Sequence, residues 1–354
     1  MRLALRLAAK AAGRTSPNPM VGAVLVKNGK VIATGWHKAA GGDHAEVAAL
    51  KRADVGAKGA TLYINLEPCC HEGRTPPCTD SLIRAGIKAV VAGMKDPNPL
   101  VSGAGLRRLR RAGVQVRVGV LEDQCHALNE AFVKAITTRL PFVILKLAAS
   151  LDGKIATASG DARWISDADS RRAVHRLRNQ VDALLVGAGT VAADDPQLTC
   201  RLAGGRNPWR VVLDAGLRVP LSAQILRQRD PEKTIIVTSL HASEQKVRAL
   251  EALGVQVWQL APHKGRIPWL PVLKKLAARG IVSVMIEGGA TTAAWALQDK
   301  VVDKLLFFYA PKILGGDGRV MIDGLDVKRV KYAIQVYRMG VKRSGGDLLV
   351  SGYL

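Results

Sequence analysis

Three of the chain's five cysteines fall within ten positions, in the stretch LEPCCHEGRTPPC at residues 66–78. Thiolates and neutral imidazoles are the ligands that zinc prefers, and a catalytic zinc ion has three protein ligands and an open position for water. His44 opens one predicted helix, in HAE, and Cys78 opens another, so both side chains can reach a metal ion off the helix N-termini. Together with Cys69 they predict a catalytic zinc site.

Glu46 is placed to move protons at that site. It lies two residues after His44, roughly 200° around a helix, so the two side chains share a metal site only at the N-terminal end of the helix. Zinc deaminases have this arrangement: a histidine, a non-ligand glutamate two residues later, and then a Pro-Cys and a second cysteine. Here Pro68-Cys69 is followed by Cys78 after 78 − 69 = 9 positions, a longer spacing than in the short form of the motif. The Glu and the Pro at these offsets argue against the alternative, three unrelated core residues.

The other cysteines are interpreted as structural. Cys70 is interpreted as a small buried side chain beside the site rather than a ligand, because three ligands already complete the set. Cys125 and Cys200 stand alone in the sequence. An odd number of cysteines, three of them clustered, is typical of a metal or reactive site in a reducing compartment and not of a disulfide framework. We therefore expect a cytoplasmic protein.

The length of 354 residues favours two cores over one. Hydrophobic residues make up 48% of the chain and charged residues 23%, which excludes the disordered class. Arg and Lys interrupt every apolar run before it reaches the roughly 18 residues of a membrane-spanning helix. The start, MRLALRLAAKAAGR, predicts an amphipathic helix ending at Gly13 in preference to a transit peptide.

The net charge of +23, from 52 Lys and Arg less 29 Asp and Glu, is the unusual bulk property. Such a positive charge is typical of proteins that bind nucleic acid, so nucleic acid is a candidate partner. The alternatives are a basic surface or attraction for phosphorylated substrates, and the even spread of basic residues favours them. Aromatic residues, at 4% of the chain, are too few to form stacking platforms for bases. We therefore expect no specific nucleic-acid partner and no membrane partner.

Hydrophobic periodicity predicts two α/β domains, 1–139 and 140–354. In the first, AVLVKNGKVIATGW predicts a hairpin that turns at Asn28-Gly29, because both residues tolerate positive φ. Helix and strand patterns then alternate through HAEVAALKRA, ATLYINLEP, CTDSLIRAG, IKAVVAGM, GAGLRRLRRAG and VQVRVGV, and one long helical segment follows, from about Glu122 to Thr138. The boundary is placed near Arg139 to Pro141, where a second series of strands begins: PFVILKLAAS, VDALLVGA, WRVVLDA, KTIIVTS, VQVWQL, VSVMIEGG and DKLLFFYAP.

The first domain closely resembles the deaminase half of the bifunctional riboflavin-biosynthesis deaminase-reductase family. The resemblance rests on TSPNPMVGAVLV, HAE and LEPCCHEGRTPPCTD taken together, and it covers the domain nearly end to end. It implies a cytidine-deaminase-like α/β/α fold, zinc bound by His44, Cys69 and Cys78, and Glu46 as general acid/base. It also implies substrate contacts at Asn18, His37, His71 and Arg74, the last of them on a phosphate. The family usually has a serine where this chain has Cys70.

The residues of the second domain alone predict only an α/β fold with a nucleotide-like site. The segment VGAGT lacks the third glycine of a GxGxxG motif and is a weak signal. VSVMIEGGATTAAW predicts a strand that ends at Gly288-Gly289, where a helix begins and backbone N–H groups can bind a phosphate. A plain strand-helix turn is an equal alternative.

Four stretches of this domain resemble the reductase half of the same family: LKLAASLDGKIATASGDARWIS, VGAGTVAADDPQLTCR, IEGGATTAAW and FFYAPKILGG. The resemblance runs from about Leu140 to Gly316 and implies a fold similar to dihydrofolate reductase, with NADPH as cofactor. The implied cofactor contacts are Ala148, Trp164, Thr190, Asp194, Gly289, Ala290, Thr291, Thr292, Ala293, Ala294 and Trp295. The implied substrate contacts are Arg178, Leu198, Arg201 and Glu287.

The two arginines in this set suit a ribose phosphate, which guanidinium groups match bidentately. The alternative for both is a solvated helix face, and it applies to Arg178 more than to Arg201. Lys146 and Asp152 are candidates for a proton donor. Ala162 stands where the family often has a serine, so a substrate hydrogen bond from that side chain is absent.

The resemblance implies two reactions on a phosphoribosylaminopyrimidine. The first is zinc-dependent hydrolytic deamination of 2,5-diamino-6-(5-phosphoribosylamino)pyrimidin-4(3H)-one, and the second is NADPH-dependent reduction of the ribosyl side chain to 5-amino-6-(5-phosphoribitylamino)uracil. A homo-oligomer, either a dimer or a tetramer, is implied as well. One rival is a nucleic-acid base deaminase whose second domain binds RNA or DNA, and another is a protein whose second half has lost hydride chemistry. The reductase-like stretches have no role in base editing and favour the bifunctional enzyme.

Overall fold

The computed structural model describes residues 1–70, 77–99 and 101–354. The chain forms two compact units, Met1–Leu140 and Pro141–Leu354. Across the described residues, no helix is both long and apolar enough to cross a membrane.

The first unit is built on a five-stranded sheet with the strand order β2-β1-β3-β4-β5. Its strands are β1 (Gly22–Lys27), β2 (Lys30–Trp36), β3 (Thr61–Leu66), β4 (Ala89–Met94) and β5 (Gln115–Val118). Its helices are α1 (Arg2–Ala9), α2 (Ala45–Ala53), α3 (Cys78–Arg84), α4 (Ala104–Arg111), α5 (Glu122–Leu128) and α6 (Glu130–Thr138). The β1–β2 hairpin is confirmed, with φ of 51° at Asn28 and 72° at Gly29.

The parallel part of this sheet sets up the first candidate site. Strand β3 runs parallel to β4, and β4 runs parallel to β5, so their carboxyl ends meet at one edge. The inward faces of the strands pack with helices α2, α3 and α4 in an aliphatic core that includes Leu25, Leu62, Ile64 and Leu106. Burial of such side chains contributes about 25 cal/mol per Å² of apolar area. The core therefore holds the ends of β3 and the starts of α2 and α3 as a rigid frame.

Two helix predictions in this unit are wrong in their extent. Helix α1 ends at Ala9 and continues as turns, so it does not extend to Gly13. The long helix expected from Glu122 to Thr138 is interrupted at Asn129, whose φ of −109° and ψ of 22° are not helical. The Asn129 side chain accepts a hydrogen bond from Met20 N at 2.8 Å and donates one to Met20 O at 3.0 Å. These bonds tie the break to the segment before β1.

The second unit contains a nine-stranded sheet with the order β11-β10-β9-β8-β12-β6-β13-β16-β15. Its strands are β6 (Phe142–Ser150), β7 (Lys154–Ala156), β8 (Ala183–Gly187), β9 (Trp209–Leu213), β10 (Thr234–Ser239), β11 (Gln256–Leu260), β12 (Ser283–Glu287), β13 (Lys304–Ala310), β14 (Arg319–Val320), β15 (Tyr337–Ser344) and β16 (Asp347–Tyr353). Its helices are α7 (Ala168–Gln180), α8 (Ala188–Asp194), α9 (Glu244–Ala252), α10 (Trp269–Ala277) and α11 (Ala290–Gln298). Strands β7 and β14 pair separately.

The predicted strands of this unit are confirmed, and they form the parallel centre of the sheet. Strands β8 and β12 are buried along their whole length, as expected of continuous apolar runs in a sheet covered on both faces. The last hairpin, β15–β16, is absent from the sequence-based prediction. Strand β15 is largely exposed, and its apolar residues Tyr337, Met339 and Val341 alternate with other residues, which is a strand signal that the prediction overlooked.

Candidate active sites

The side chains of His44, Cys69 and Cys78 converge in the first unit, with their ligand atoms all within 4.8 Å of one another. His44 Nδ1 lies 3.1 Å from Cys78 Sγ and 3.6 Å from Cys69 Sγ. The backbone N–H of Cys78 donates to Cys69 Sγ at 3.4 Å. In the part of the chain that the structure describes, this is the one group of three or more such side chains able to hold a metal ion.

Two helix starts and one strand end place these ligands. His44 is the N-cap of α2, Cys78 is the first residue of α3, and Cys69 lies three residues beyond the end of β3. The N–H of Thr79 donates to the carbonyl of Cys69 at 3.1 Å, which joins the strand end to the helix start. The backbone thus fixes the distance between two ligands that are nine positions apart in the sequence.

The electrostatics of the cluster suit a divalent cation. A hydrogen bond from the Cys78 thiol, helped by one from His44, lowers the pKa of the Cys69 thiol to about 4 against the effect of burial. The pKa of Cys78 is raised because its thiol donates that bond and is itself buried. A cation that replaced the remaining thiol proton would meet two sulfurs and one imidazole, which is a donor set that fits zinc.

Glu46 lies in the first turn of α2, and its side chain is buried beside the cluster. Burial, followed by the negative charge of Cys69, raises its pKa to about 7. Its carboxyl group is in hydrogen-bonding contact with Cys78. A carboxyl group with a pKa close to neutrality can both take up and release a proton, as a general acid/base must.

A cavity of about 510 Å³ opens onto Glu46 and the metal-ligand cluster, and residues of the first unit line it throughout. Asn18 and His37 lie on its wall, with Asn18 Nδ2 3.3 Å from His37 Nε2. His37 Nδ1 is 3.0 Å from the carbonyl oxygen of Asp43, one residue before the ligand His44. Asn18 and His37, the two predicted substrate contacts on this wall, are therefore within hydrogen-bonding distance of each other. His71 and Arg74 lie outside the described residues.

Sequence reasoning missed Glu67, the residue that supports the Pro68-Cys69 segment. Its buried carboxylate accepts four backbone hydrogen bonds, from Asp96, Gly103, Gly105 and Leu106, at 2.9 to 3.2 Å. Two of the four donors belong to α4. An acidic residue directly after a buried strand is the signal that could have identified it. Asn98 and Phe132, which also line the cavity, carry no local signal.

The remaining cysteines lie outside the metal-ligand cluster. All five cysteines of the chain are free thiols. Cys70 is partly exposed, and burial with the nearby charge of Glu67 raises its pKa. Cys125 is fully buried in a small apolar cluster with Leu66 and Met94. Cys200 lies in the second unit, where its thiol is 3.5 Å from the carbonyl of His175.

A second cavity, of about 740 Å³, lies in the second unit at the carboxyl ends of its parallel strands. Predicted cofactor contacts that line it are Thr190, Asp194, Gly289, Ala290, Thr291, Thr292 and Trp295. Gly289 has a φ of 82°, and a Cβ there would lie 3.1 Å from Thr190 Oγ1. A Cβ on Gly187 would lie 2.5 Å from Thr292 Oγ1. Side chains at these glycines would crowd the cavity, so the backbone leaves the room that a dinucleotide requires.

Four predicted cofactor contacts are absent from the residues that line this cavity. Ala293 and Ala294 are on the buried side of α11 and contact the core. Trp164 is 60% exposed, and its ring lies under the Arg171 guanidinium at 4.6 Å. Ala148 lies on β6, opposite Phe308 of β13. The structure therefore places seven of the eleven predicted cofactor contacts around the second cavity.

Arg178 and Glu287 form a buried ion pair. Arg178 Nε and Nη2 donate to the two carboxylate oxygens of Glu287 at 2.8 and 2.7 Å, and Nη1 donates to the carbonyl of Thr199 at 3.1 Å. Burial raises the pKa of Glu287, but the charge and hydrogen bonds of Arg178 outweigh it and lower the pKa to about 2. The alternative interpretation of Arg178, a solvated helix face, is wrong, since its side chain is only 14% exposed.

Lys146 lies beside this pair, on β6 directly opposite Glu287 of β12. Burial lowers its pKa, and Arg178 adds to the shift, although the charge of Glu287 opposes it. A lysine with a lowered pKa donates a proton more readily. Asp152, the other candidate, accepts hydrogen bonds from Ser150 Oγ and from the backbone of Leu314 and Gly315, which gives it a role in holding that loop.

Arg201 lies near the ion pair and is oriented by a histidine that sequence reasoning missed. Arg201 Nε lies 3.2 Å from His175 Nε2, and Arg201 N lies 3.2 Å from His175 Nδ1. Burial and the charges of Arg178 and Arg201 lower the pKa of His175 to about 4, so the imidazole is neutral and can accept a hydrogen bond at neutral pH. The guanidinium of Arg201 is thus held while its side chain stays exposed. Leu198, the remaining predicted substrate contact, is buried.

These two units define a class of protein: a bifunctional enzyme with a zinc-dependent deaminase unit followed by a reductase unit. Residues 1–94 match the cytidine and deoxycytidylate deaminase zinc-binding region, and residues 141–350 match the RibD C-terminal domain. The chain belongs to the family of the riboflavin biosynthesis protein RibD. The predicted fold, a cytidine-deaminase-like α/β unit and then a dihydrofolate-reductase-like one, is confirmed.

Relatives and solved structures cover nearly the whole chain. The RibD protein of Aquifex aeolicus is 45% identical over 99% of this chain and 96% of its own, and that of Escherichia coli K12 is 39% identical over 98% and 96%. Acinetobacter baumannii RibD aligns at a TM-score of 0.90, with 37% identity over 99% of this chain and 97% of that one. A Thermotoga maritima diaminohydroxyphosphoribosylaminopyrimidine deaminase/5-amino-6-(5-phosphoribosylamino)uracil reductase aligns at 0.88, with 40% identity over 100% and 97%. The chain is a deaminase/reductase of riboflavin biosynthesis that acts on a pyrimidine substrate.

Proposed function

We propose that the first unit deaminates 2,5-diamino-6-(5-phosphoribosylamino)pyrimidin-4(3H)-one and that the second reduces the ribosyl side chain of the product to give 5-amino-6-(5-phosphoribitylamino)uracil. The observation that carries the proposal is the presence of two complete sets of reactive side chains, one on each unit. Glu46, His44 and Cys69 line one cavity, and Cys78 completes the metal-ligand cluster with the last two. Lys146, Arg178 and Glu287 lie beside the strand ends that frame the other.

In the deaminase, His44, Cys69 and Cys78 would hold zinc, which lowers the pKa of water so that hydroxide is available near neutral pH. Glu46 takes the proton of the attacking water and passes it to the leaving amine, which departs as ammonia. The buried position of Glu46 keeps it protonated for part of the time at neutral pH, and this suits both steps. Asn18 and His37 orient the pyrimidine on the cavity wall.

In the reductase, the residues that line the second cavity would hold NADPH, and the chemistry that this cofactor would supply is hydride transfer to C1 of the opened ribosyl group. Lys146 gives the proton that the reduction requires, because it is the candidate whose pKa is lowered by burial. The Arg178–Glu287 pair positions Lys146 across the β6–β12 register. Arg201 binds the substrate phosphate, with His175 holding its guanidinium.

A coupled assay tests both activities separately. The phosphoribosyl pyrimidine and NADPH are supplied to the full chain, and ammonia release is followed independently of the loss of NADPH absorbance. Ammonia without NADPH oxidation, even with the deaminated compound supplied, would contradict the reductase proposal. Faster ammonia release from single-stranded RNA or DNA than from the pyrimidine would favour the nucleic-acid deaminase instead.

Replacing Arg201 with alanine should raise KM for reduction roughly 10-fold with little change in kcat, because a phosphate contact made equally in the ground and transition states is lost. Steady-state kinetics on the deaminated substrate measure this. Arg248→Ala is the matched control, since Arg248 is an exposed arginine of the same unit paired with Glu244. A fall in kcat at constant KM would show that Arg201 acts in the chemical step.

We also propose a homo-oligomer, a dimer or a tetramer. Exposed apolar side chains on the edge strand β15 support it: Tyr337, Met339 and Val341 are 60% to 64% exposed. Such an edge pairs readily with a second strand. Light scattering from the purified chain gives the mass, and a monomer at micromolar concentration would contradict the proposal.

A cytoplasmic location is part of the same proposal. It is supported by the five free thiols, of which Cys69 and Cys78 must stay reduced to bind zinc. Cell fractionation followed by immunodetection tests it, and recovery of the protein outside the cytoplasmic fraction would contradict it.

A further inference from the structure

The cavity of the second unit has three arginines in its lining, Arg218, Arg266 and Arg319, and two aspartates. NADPH differs from NADH by one phosphate, on the 2′-oxygen of the adenosine ribose, and arginine is the side chain suited to that group. We propose that Arg218 binds the 2′-phosphate and sets the preference for NADPH over NADH. This inference rests on the proposed use of NADPH by the second unit.

The strand order determines which end of the cofactor lies where. Strands β9, β8, β12 and β6 are consecutive parallel neighbours, so their carboxyl ends meet at one edge. The reactive groups, Lys146 on β6 and Glu287 on β12, lie at one side of this edge. The nicotinamide must reach them, so the adenosine points towards β9, two strand spacings or about 10 Å from β12.

Arg218 comes from the segment that follows β9, together with Ala215 on the same cavity wall. Two other segments that line this edge are residues 188–190 after β8 and residues 289–292 after β12. Their backbone N–H groups and small side chains suit the middle of a dinucleotide. Arg218 therefore provides a positive charge at the adenosine end of the edge.

A buried aspartate holds the turn that carries Arg218. Asp214 Oδ2 accepts a hydrogen bond from Val219 N at 2.7 Å, and the Asp214 carbonyl accepts one from Leu217 N at 3.0 Å. Leu217 has a φ of 50°, and both Leu217 and Val219 are buried. The residues on either side of Arg218 are thus anchored in the core while its own side chain is exposed. The guanidinium is presented from a fixed backbone, which lowers the entropic cost of binding an anion.

The other arginines are already engaged or lie elsewhere. The Arg266 guanidinium lies over the Trp295 ring at 4.6 Å, and Nη1 donates to Gln298 Oε1 at 3.2 Å. Arg319 belongs to β14, which pairs with β7, the strand that follows β6 in the chain, whereas Arg218 follows β9. Among the described residues, no carboxylate lies within 4.0 Å of the Arg218 guanidinium. Arg218 is the arginine whose charge is left for a ligand.

Equilibrium titration of the full chain with NADPH and with NADH tests the inference. Arg218→Ala should weaken NADPH binding roughly 10- to 100-fold, the loss expected for a charge-assisted phosphate contact, and leave NADH binding unchanged. Arg218→Lys should recover part of the NADPH affinity. Adenosine 2′,5′-bisphosphate should compete with NADPH on the wild type and lose that ability on Arg218→Ala. Arg227→Ala is the control, because Arg227 is exposed in the same inter-strand segment and does not line the cavity.

Equal weakening of NADPH and NADH by Arg218→Ala, or no weakening of either, would overturn the assignment of the 2′-phosphate to Arg218. A wild type that binds NADH as tightly as NADPH would overturn it as well. A wild type that binds neither nucleotide would contradict the proposed reduction, so the two failures are distinguishable. Thermal unfolding of each variant shows whether an affinity change reflects lost folding, which is not expected for an exposed side chain.

Discussion

Replacing Cys78 with alanine is expected to remove zinc from the chain and to reduce ammonia release to background. The three ligand atoms lie within 4.8 Å of one another, and a site left with one imidazole and one thiolate has lost a third of its ligands. Metal analysis should show about one zinc per wild-type chain and none in the variant.

Cys70→Ser is the matched control for this experiment. Cys70 is adjacent to a ligand in the sequence, yet it lies outside the metal-ligand cluster and is partly exposed. We expect the variant to keep its zinc and its deaminase activity. Full zinc retention by Cys78→Ala, or loss of zinc from Cys70→Ser, would show that the wrong sulfur has been assigned.

Replacing Glu46 with glutamine is expected to lower the rate of deamination at least about 100-fold while zinc stays bound, because the proton carrier is lost and no ligand is removed. The amide has nearly the shape of the carboxyl group and fits the same buried site, so the fold should be kept. Metal content and the rate of ammonia release, measured on one preparation, separate the two effects. Undiminished ammonia release would rule out the proton-transfer role.

Reduction of the deaminated substrate is the internal control for Glu46→Gln. The deaminase cavity is lined wholly by residues of the first unit and the dinucleotide cavity wholly by residues of the second. We therefore expect the reduction rate to stay near that of the wild type. A parallel loss of both activities would mean that the substitution damages the chain as a whole.

The convergence of His44, Cys69 and Cys78, with Glu46 beside them, could be predicted because the signals are local. His44 and Cys78 stand at helix starts, and the caps and apolar periodicity of those helices are contained in windows of about ten residues. The offset of two residues between His44 and Glu46 places both at the N-terminal end of α2, independently of the tertiary structure. Apart from the β15–β16 hairpin, the strands of both sheets were equally predictable, since burial on one or both faces leaves its own pattern.

Contacts between distant parts of the chain could not be predicted from local sequence patterns. Arg178 and Glu287 are 109 positions apart, as are Met20 and Asn129, and no local window contains both partners. The ion pair with Glu287 buries Arg178, although the sequence pattern around Arg178 is that of a solvated helix face. The hydrogen bonds of Asn129 to Met20 lie at the break between α5 and α6, where the apolar periodicity predicts one continuous helix. The energy of a buried hydrogen bond depends on a partner that only the fold supplies.

The amino-acid sequence therefore specified which side chains form the metal-ligand cluster and which glutamate lies beside it, together with the order of the two units and the family to which the chain belongs. The tertiary structure decided how that chemistry is arranged. It made Glu67 a support for the Pro68-Cys69 segment, gave Arg201 its histidine partner, and placed Arg218 at the β9 side of the dinucleotide cavity. Residue types and offsets carry reactivity, whereas position and burial arise from strand order and long-range packing, which no single segment encodes.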